Sequence, residues 1–390
     1  MVCVSVAALA ASTFAISSVG ALAPKLEAAF GFSRAEIGLV TSLVFLGAAL
    51  GSWPAGRLTD TVDPARVLGW AMLMFTGAVG LLAAAPDRAT LLLAAVLAGL
   101  AYGGVNPPTN VVVAGQLSRR LGFFLSLKQS GVPLGGLLAG LVLPPVAIAD
   151  GWRVALLLAV ALCAAVTLAT PLLRNAQRLR LSHSPARPAG GPLSRRRRSA
   201  LGAFGFVMAG SQWVFLTYLV LFLTQQFHFG LAAAGVALAL AQGLGACARL
   251  AWGWMSDRTG KRLEVLLLMA GLQVAALEVI ALAPARALVW PLVALAGLTV
   301  VGWNGAFYGF VAEAAGPGNV GQVSGEALVW IFGGSVVLPP LLGVLVDALG
   351  SWRPLWAICG AVVGLGAVVL RLGFLGGGSA EIATVIGTAR

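Results

Sequence analysis

Residues 97–106 read LAGLAYGGVN, and residues 295–304 read LAGLTVVGWN. The two segments share their first four residues, the glycine at the eighth position and the asparagine at the tenth. The two segments lie 198 residues apart. Further pairs have the same separation to within two residues and run in the same order along the chain: Gly56 and Asp60 with Gly253 and Asp257, Ser126 with Ser324, Gly135-Gly136 with Gly333-Gly334, and Trp152-Arg153 with Trp352-Arg353. The chain therefore consists of two copies of one unit.

The composition excludes a water-soluble globular protein. Of 390 residues, 59% are hydrophobic and only 10% are charged, whereas a soluble domain devotes about a quarter of its residues to charge. The charges cluster between long apolar runs, which is typical of a helical membrane protein. The formal net charge of +12 then reflects the orientation bias of such proteins, and we expect no nucleic-acid partner.

Twelve apolar runs are long enough to cross a bilayer core of about 30 Å, which needs about 20 helical residues. The predicted spans are residues 2–24, 35–55, 67–85, 89–115, 122–147, 154–173, 200–224, 231–252, 264–283, 288–312, 323–347 and 354–375. Each copy thus holds six spans. An even number makes the copies parallel, related by an axis along the membrane normal.

A basic segment separates the two sets of spans. Residues 174–199 contain eight arginines and no acidic residue. We interpret this segment as a cytoplasmic linker between a bundle of residues 1–173 and a bundle of residues 200–376, because Lys and Arg concentrate on the cytoplasmic side. Both termini, including a tail of residues 377–390, are then cytoplasmic, and a bacterial inner membrane is the expected location. Binding of nucleic acid or signalling lipid by Arg195–Arg198 is the alternative.

A charged turn follows the eighth span and identifies a family. Residues 253–262, GWMSDRTGKR, match the pattern G-x-x-x-D-R-x-G-K-R through Gly253, Asp257, Arg258, Gly260, Lys261 and Arg262. The chain thereby resembles the major facilitator superfamily. The copy between spans two and three keeps Gly56 and Asp60 but lacks the following Arg and the second Gly.

The resemblance implies two six-helix bundles and a loop that latches them in one state. On physical grounds, Gly253 permits two helices to approach closely, and Asp257 can accept hydrogen bonds from a helix terminus. A purely topogenic turn is the alternative role. We assign the lone Arg249 to the support of this latch.

Polar residues in the fourth span mark a candidate substrate site. Tyr102, Asn106 and Asn110 recur every four residues and so form one stripe, and Pro107-Pro108 between them predicts a kink. The counterparts in the tenth span are Trp303, Asn304 and Tyr308. The repeat predicts that Asn106 and Asn304 face each other between the halves. An interhelical asparagine hydrogen bond is the structural alternative.

Lys128 is a lone ammonium inside the fifth span. It can attract an anion, with Gln129 beside it, or it can extend to the headgroups. The repeat aligns it with Glu326, the candidate for a coupled proton, for which a salt bridge or ordinary interfacial placement is the alternative. Gln212 and Tyr218 of the seventh span complete the candidate lining.

These residues predict a secondary transporter of a small anion by alternating access. The segment around Lys128 is similar to cyanate-type and organic-anion branches of the superfamily. Proton-coupled drug export and a non-transporting receptor are the alternatives. Clusters of metal ligands and a phosphate-binding loop are missing from the sequence, so we expect no enzymatic activity, no metal and no cofactor. The expected partners are the solute, membrane lipid and protons, and we expect a monomer.

Overall fold

The computed structural model describes residues 2–114, 127–176, 193–282, 285–315 and 320–375. Within these ranges, twelve helical spans are long and apolar enough to cross a membrane, which confirms the all-α membrane fold. They are α1 Val2–Ala21, α2 Arg34–Thr61, α3 Pro64–Ala84, α4 Arg88–Val113, α5 Leu127–Ala149, α6 Trp152–Leu173, α7 Arg195–Gln226, α8 Leu231–Thr259, α9 Arg262–Ala281, α10 Arg286–Ala315, α11 Gln322–Leu349 and α12 Arg353–Phe374. A short helix, Ala23–Phe30, connects α1 to α2.

Local sequence sets the helix ends. Ser33 begins α2 with a capping box, in which its hydroxyl accepts from Glu36 N and the Glu36 carboxylate accepts from Ser33 N. Asp63 and Asp87 precede α3 and α4, and their carboxylates accept from Ala65 N and Thr90 N without a capping box. At the end of α8, Gly260 has φ +65°, the left-handed conformation that glycine adopts at low cost.

The two halves, α1–α6 and α7–α12, meet along two main helix pairs, α2 with α11 and α5 with α8. At the second pair the backbones touch: a Cβ atom on Gly140 of α5 would lie 2.6 Å from the carbonyl oxygen of Gly235 on α8. At the first pair, Ser42 Oγ donates to Val336 O at 2.5 Å. Small residues at both pairs permit this close approach.

These contacts are concentrated at one end of the bundle. Within the described ranges, all hydrogen bonds between the halves involve the first three turns of α2 or the adjoining helix Ala23–Phe30. We call this end, which holds Arg34 and Asp347, the closed end. At the opposite end, which holds Asp60 and Asp257, no hydrogen bond joins the halves among the described residues; we call it the open end and the space between the described parts of the halves there the cleft.

The expected close helix approach at Gly253 stays a prediction. A Cβ atom on Gly253, or on its counterpart Gly56, would meet no described atom within 4 Å. Both glycines lie on the helices that bring the halves together, but towards the open end.

Both copies interrupt a helix just before the asparagine that the repeat shares. In α4, the helix Arg88–Gly103 stops at Gly104 and resumes as Asn106–Ala114, with Pro107 and Pro108 in its first turn, where proline is tolerated. In α10, a π-helical turn, Gly297–Val301, precedes the helix Asn304–Ala315. The interruption predicted from the prolines therefore begins one turn earlier than they do, and the repeat shares it.

The predicted linker falls largely outside the described residues. Its first residues, up to Ala176, belong to the 3₁₀ helix Thr170–Ala176, and its last five lie in α7, which begins at Arg195. Ser194 precedes that helix, and its hydroxyl accepts from Arg197 N at 3.4 Å. The predicted tail, residues 377–390, also lies outside the described part.

Candidate substrate site

Lys128 contacts three oxygen atoms on α4. Its Nζ donates to Asn106 Oδ1 at 3.2 Å, Thr109 Oγ1 at 3.2 Å and Asn110 Oδ1 at 2.5 Å. The side chain is completely buried, at 0% exposure. Two of these partners were predicted from their spacing. Thr109 was missed because a lone threonine in a membrane helix usually bonds its own backbone, which Thr109 also does.

In the part of the chain that the structure describes, the charge of Lys128 has no acidic partner. All three acceptors are neutral, and among the described residues no carboxylate forms an ion pair with Nζ within 4.0 Å. Burial of an ammonium without a counter-ion is expensive, and neutral oxygens offset only part of the cost. A bound anion would supply the missing charge.

Arg249 provides a second cation near the middle of the bundle. Its Nε donates to Val301 O on α10 at 3.1 Å. The guanidinium lies near the phenol groups of Tyr102 on α4 and Tyr308 on α10, which belong to opposite halves. The assignment of Arg249 to the latch stays a prediction, and this position makes the residue a candidate for the substrate site as well. A lone arginine inside an apolar span is a signal for such a site.

Gln212 organises the second half of the site. Its Oε1 accepts from Trp303 Nε1 at 2.8 Å and from Asn304 Nδ2 at 3.4 Å. Trp303 is fully buried and Asn304 is half-buried. Each repeat asparagine thus bonds within its own half, Asn106 to Lys128 and Asn304 to Gln212. Both amides are held by protein groups rather than by lipid.

Three predicted residues lie apart from this cluster. The Tyr218 hydroxyl lies at the closed end, 2.8 Å from Arg34 O and 2.7 Å from Pro339 O. Gln129 follows Lys128 but is exposed. Glu326 pairs with Arg198 at 3.0 Å, and both belong to the second half, so this bridge does not connect the halves.

The signature turn forms a network inside the second half. Arg262 binds Asp257 Oδ1 at 2.8 Å, Glu313 Oε2 at 3.1 Å and the carbonyl oxygen of Gly309 at 2.7 Å. Arg258 lies 5.1 Å from the ring centroid of Trp254. The network joins the end of α8 to α9 and α10. The hydrogen bonds and ion pairs of this network do not reach the described residues of the first half.

Comparisons with known proteins agree with this architecture. The family model of the Major Facilitator Superfamily matches residues 5–330. The chain is therefore a membrane transporter rather than an enzyme, and it belongs to the Major Facilitator Superfamily. It lies in a lipid membrane and acts on a small molecule.

Several curated relatives cover most of the chain. An MFS-type transporter of Mycobacterium tuberculosis is 27% identical over 380 residues, which is 94% of this chain and 83% of the relative. The gentisate transporter of Corynebacterium glutamicum is 29% identical and covers 84% of this chain and 76% of its own length. Monocarboxylate transporter 11 of Mus musculus is 28% identical, and the match covers 93% of this chain and 86% of the relative.

Solved transporters share the fold. A bacterial homologue of the human lysosomal transporter Spinster, in an inward-facing and occupied conformation, superposes with a TM-score of 0.76 at 16% identity, covering 95% of this chain and 94% of that one. The nucleoside transporter NupG gives a TM-score of 0.79 at 15% identity, covering 96% and 100%. At these identities the likeness concerns the fold alone.

Proposed function

We propose that the protein carries a small organic anion, of the carboxylate class, across the membrane by alternating access. The observation that carries the proposal is the fully buried Lys128, whose three partners are all neutral oxygens. An anion offsets the cost of that charge, whereas a cation would add to it. The printed names of the gentisate and monocarboxylate transporters support the same class of solute.

The two cations belong to different halves, which gives the anion a role in the conformational change. Lys128 lies on α5 and Arg249 on α8, the pair whose closed-end backbones touch at Gly140 and Gly235. An anion between the two side chains attracts both halves towards each other at the open end. The anion then binds more tightly when the halves approach each other at the open end than when they are apart there. Such a difference in affinity shifts the equilibrium between the two conformations.

The half-helix that begins at Asn106 adds to this electrostatic preference. Pro107 and Pro108 in its first turn have no backbone N–H, so the preference comes from the positive end of the helix dipole, which lies there. The same end of a helix dipole lies at Asn304 in the second half. Broken helices whose amino-terminal ends point at anionic groups are a known device of transporters.

The basic segment between the halves supports an orientation with both termini in the cytoplasm. With that orientation, the closed end with Arg34 is external, the open end with Asp257 is cytoplasmic, and the conformation described here is inward-facing. A bacterial inner membrane is the proposed location, in line with the bacterial relatives.

Glu326 is our proposed carrier of a coupled proton. Its protonation would break the 3.0 Å pair with Arg198 and so loosen the start of α7 against α11. The test is Glu326→Gln in proteoliposomes. Retained anion exchange with loss of acceleration by a pH gradient supports coupling through Glu326, whereas an unchanged response to the gradient rules it out.

The proposed function is tested by binding and flux with the same variants. Purified protein is titrated with acetate and benzoate by calorimetry, and uptake of each anion is followed in proteoliposomes. Lys128→Met should abolish measurable binding and uptake, because it removes the charge at similar side-chain length. Lys25→Met, outside the spans, is the matched control and should behave as the parent. Equal anion binding by the parent and Lys128→Met would overturn the proposal.

A further inference from the structure

Three aromatic side chains from three helices meet where the two halves separate. The ring of Phe45 on α2 lies 4.3 Å, centroid to centroid, from Trp213 on α7 and 6.5 Å from Phe332 on α11. Phe45 belongs to the first half and the other two to the second. We call these three residues the aromatic roof.

The roof lies at the inner limit of the cleft. One turn from Phe45 towards the closed end, Ser42 still bonds to Val336 of the opposite half. Three turns towards the open end, a Cβ atom on Gly56 would meet no described atom within 4 Å. Among the described residues, the roof therefore lies between the part of α2 that bonds to the opposite half and the part that does not.

The roof also lies at the depth of the polar site. Trp213 directly follows Gln212 on α7, and the side-chain oxygen of Gln212 is bonded to Trp303 and Asn304. Consecutive residues of a helix point in different directions, so the roof and the polar site occupy adjoining faces of α7 at the same level of the bundle. The cations Lys128 and Arg249 lie on α5 and α8, across the cleft from α2 and α11.

Part of the aromatic surface is uncovered. Phe45 is buried at 4% exposure, but Trp213 and Phe332 are only half-buried although α7 is the most buried of the twelve spans. Apolar surface turned to a cleft is a surface that a ligand can cover, and aromatic faces favour a planar partner in an offset or edge arrangement.

We propose that the aromatic roof binds the planar ring of an aromatic carboxylate, whose carboxylate group faces the cations of the polar site. This inference rests on the proposed transport of an organic anion and specifies its class. An aromatic ring is stabilised by offset or edge contacts with the rings of the roof and also by the burial of its apolar surface. A saturated ring of equal size is stabilised by burial alone. Because the roof contains residues of both halves, the ring contacts both.

Matched ligands test the inference on the purified protein. Benzoate, cyclohexanecarboxylate and acetate are titrated by calorimetry into the parent. Benzoate should bind about three- to tenfold more tightly than cyclohexanecarboxylate. This ratio of dissociation constants corresponds to the energy that an aromatic pair contributes in addition to burial. Trp213→Leu should reduce this ratio to about one, and Trp213→Phe should keep most of it. Trp290→Leu, beside Phe229 away from the roof, should leave it unchanged.

The outcomes separate this inference from the proposed function. If all three anions bind through Lys128 but benzoate has no advantage over cyclohexanecarboxylate, the aromatic inference is overturned and anion transport stands. If no anion binds, both fall. Phe332→Leu serves as a second roof variant should Trp213→Leu not fold, and an unchanged ligand ratio in the folded roof variants also overturns the inference.

Discussion

Asp347 of the second half caps the helix that begins at Arg34 in the first half. The Asp347 carboxylate accepts from the backbone N–H of Arg34 at 3.1 Å and from that of Ala35 at 2.9 Å. The Arg34 guanidinium lies 3.6 Å from the same carboxylate. A negative charge at a helix start is stabilised by unpaired N–H groups and by the helix dipole. The closed end is therefore held by groups that water can solvate when the halves part.

Removal of this cap should open the closed end. In a variant without the four native cysteines, Thr41→Cys reports on the interface, because Thr41 is buried and contacts Thr217 across the halves. Asp347→Ala should raise the rate at which a membrane-impermeant maleimide labels this cysteine by about fivefold or more, the effect of losing roughly 1 kcal/mol of capping energy.

Asp150→Ala is the control for this experiment, since Asp150 is an exposed acid at the same end and makes no described contact between the halves. Equal labelling of the parent and Asp347→Ala would show that the cap does not hold the closed end.

Acidification should stabilise the closed end through Glu27. Burial raises the pKa of Glu27 above its ordinary value, Arg34 and the Gln225 amide oppose the shift, and Asp347 adds to it. A raised pKa means that the folded protein binds this proton more tightly than the unfolded chain. The stabilising contribution is thus fully present below the unfolded pKa and is lost as the pH rises through the folded value.

We therefore expect the melting temperature to rise as the pH falls from about 7 to about 5. Glu27→Gln should flatten this profile, while Glu264→Gln, which removes a carboxylate at the opposite end, should preserve it. A Glu27→Gln profile as steep as that of the parent would assign the dependence to other groups.

A single methyl group should disturb the contact of α5 with α8. Gly140→Ala places a Cβ atom 2.6 Å from Gly235 O, closer than real contacts allow, so the backbones must separate. Overpacking of this kind costs about 1–3 kcal/mol. We expect a lower melting temperature and faster labelling at Thr41→Cys.

Gly77→Ala is the matched substitution, because a Cβ atom there meets no described atom within 4 Å. A melting temperature for Gly140→Ala equal to that for Gly77→Ala would mean that the helix pair adapts without separation.

Loss of Arg249 should weaken anion binding without loss of the fold. Hydrogen bonds to charged groups contribute about 1.5–3 kcal/mol, so Arg249→Gln should lower the affinity for benzoate by about tenfold or more in calorimetry. Arg249→Lys should recover part of it, because the charge returns without the planar guanidinium. Arg371→Gln, at the end of α12, should match the parent. Parent-like affinity in Arg249→Gln would exclude the guanidinium from the site.

The sequence predicted the parts of the fold that depend on hydropathy and repetition. The twelve spans and the two-copy architecture follow from run lengths and spacing, because a helix must be apolar over its full length to cross a bilayer. The stripe of Asn106 and Asn110 was found because helical spacing places such residues on one face. Their contact with Lys128 has no signal in the spacing, since it depends on how α4 and α5 pack.

Other features depend on the conformation and so have no local signal. The sequence distance from Arg249 to Asp257 suggested the latch, whereas the nearness of Arg249 to Tyr102 and Tyr308 depends on how the two halves pack. The distribution of contacts between the closed and open ends cannot be predicted from a sequence that must encode both states.

The bare helix faces at Gly56 and Gly253 have a practical consequence. They are clear of described neighbours now, yet they sit on the same two helices whose opposite ends already touch the other half. A small folded protein or a macrocycle that binds these two helix faces would stabilise one conformation of the transporter, whichever solute it carries. Such a reagent would arrest the cycle without competing for the solute, and would give structural work a fixed target.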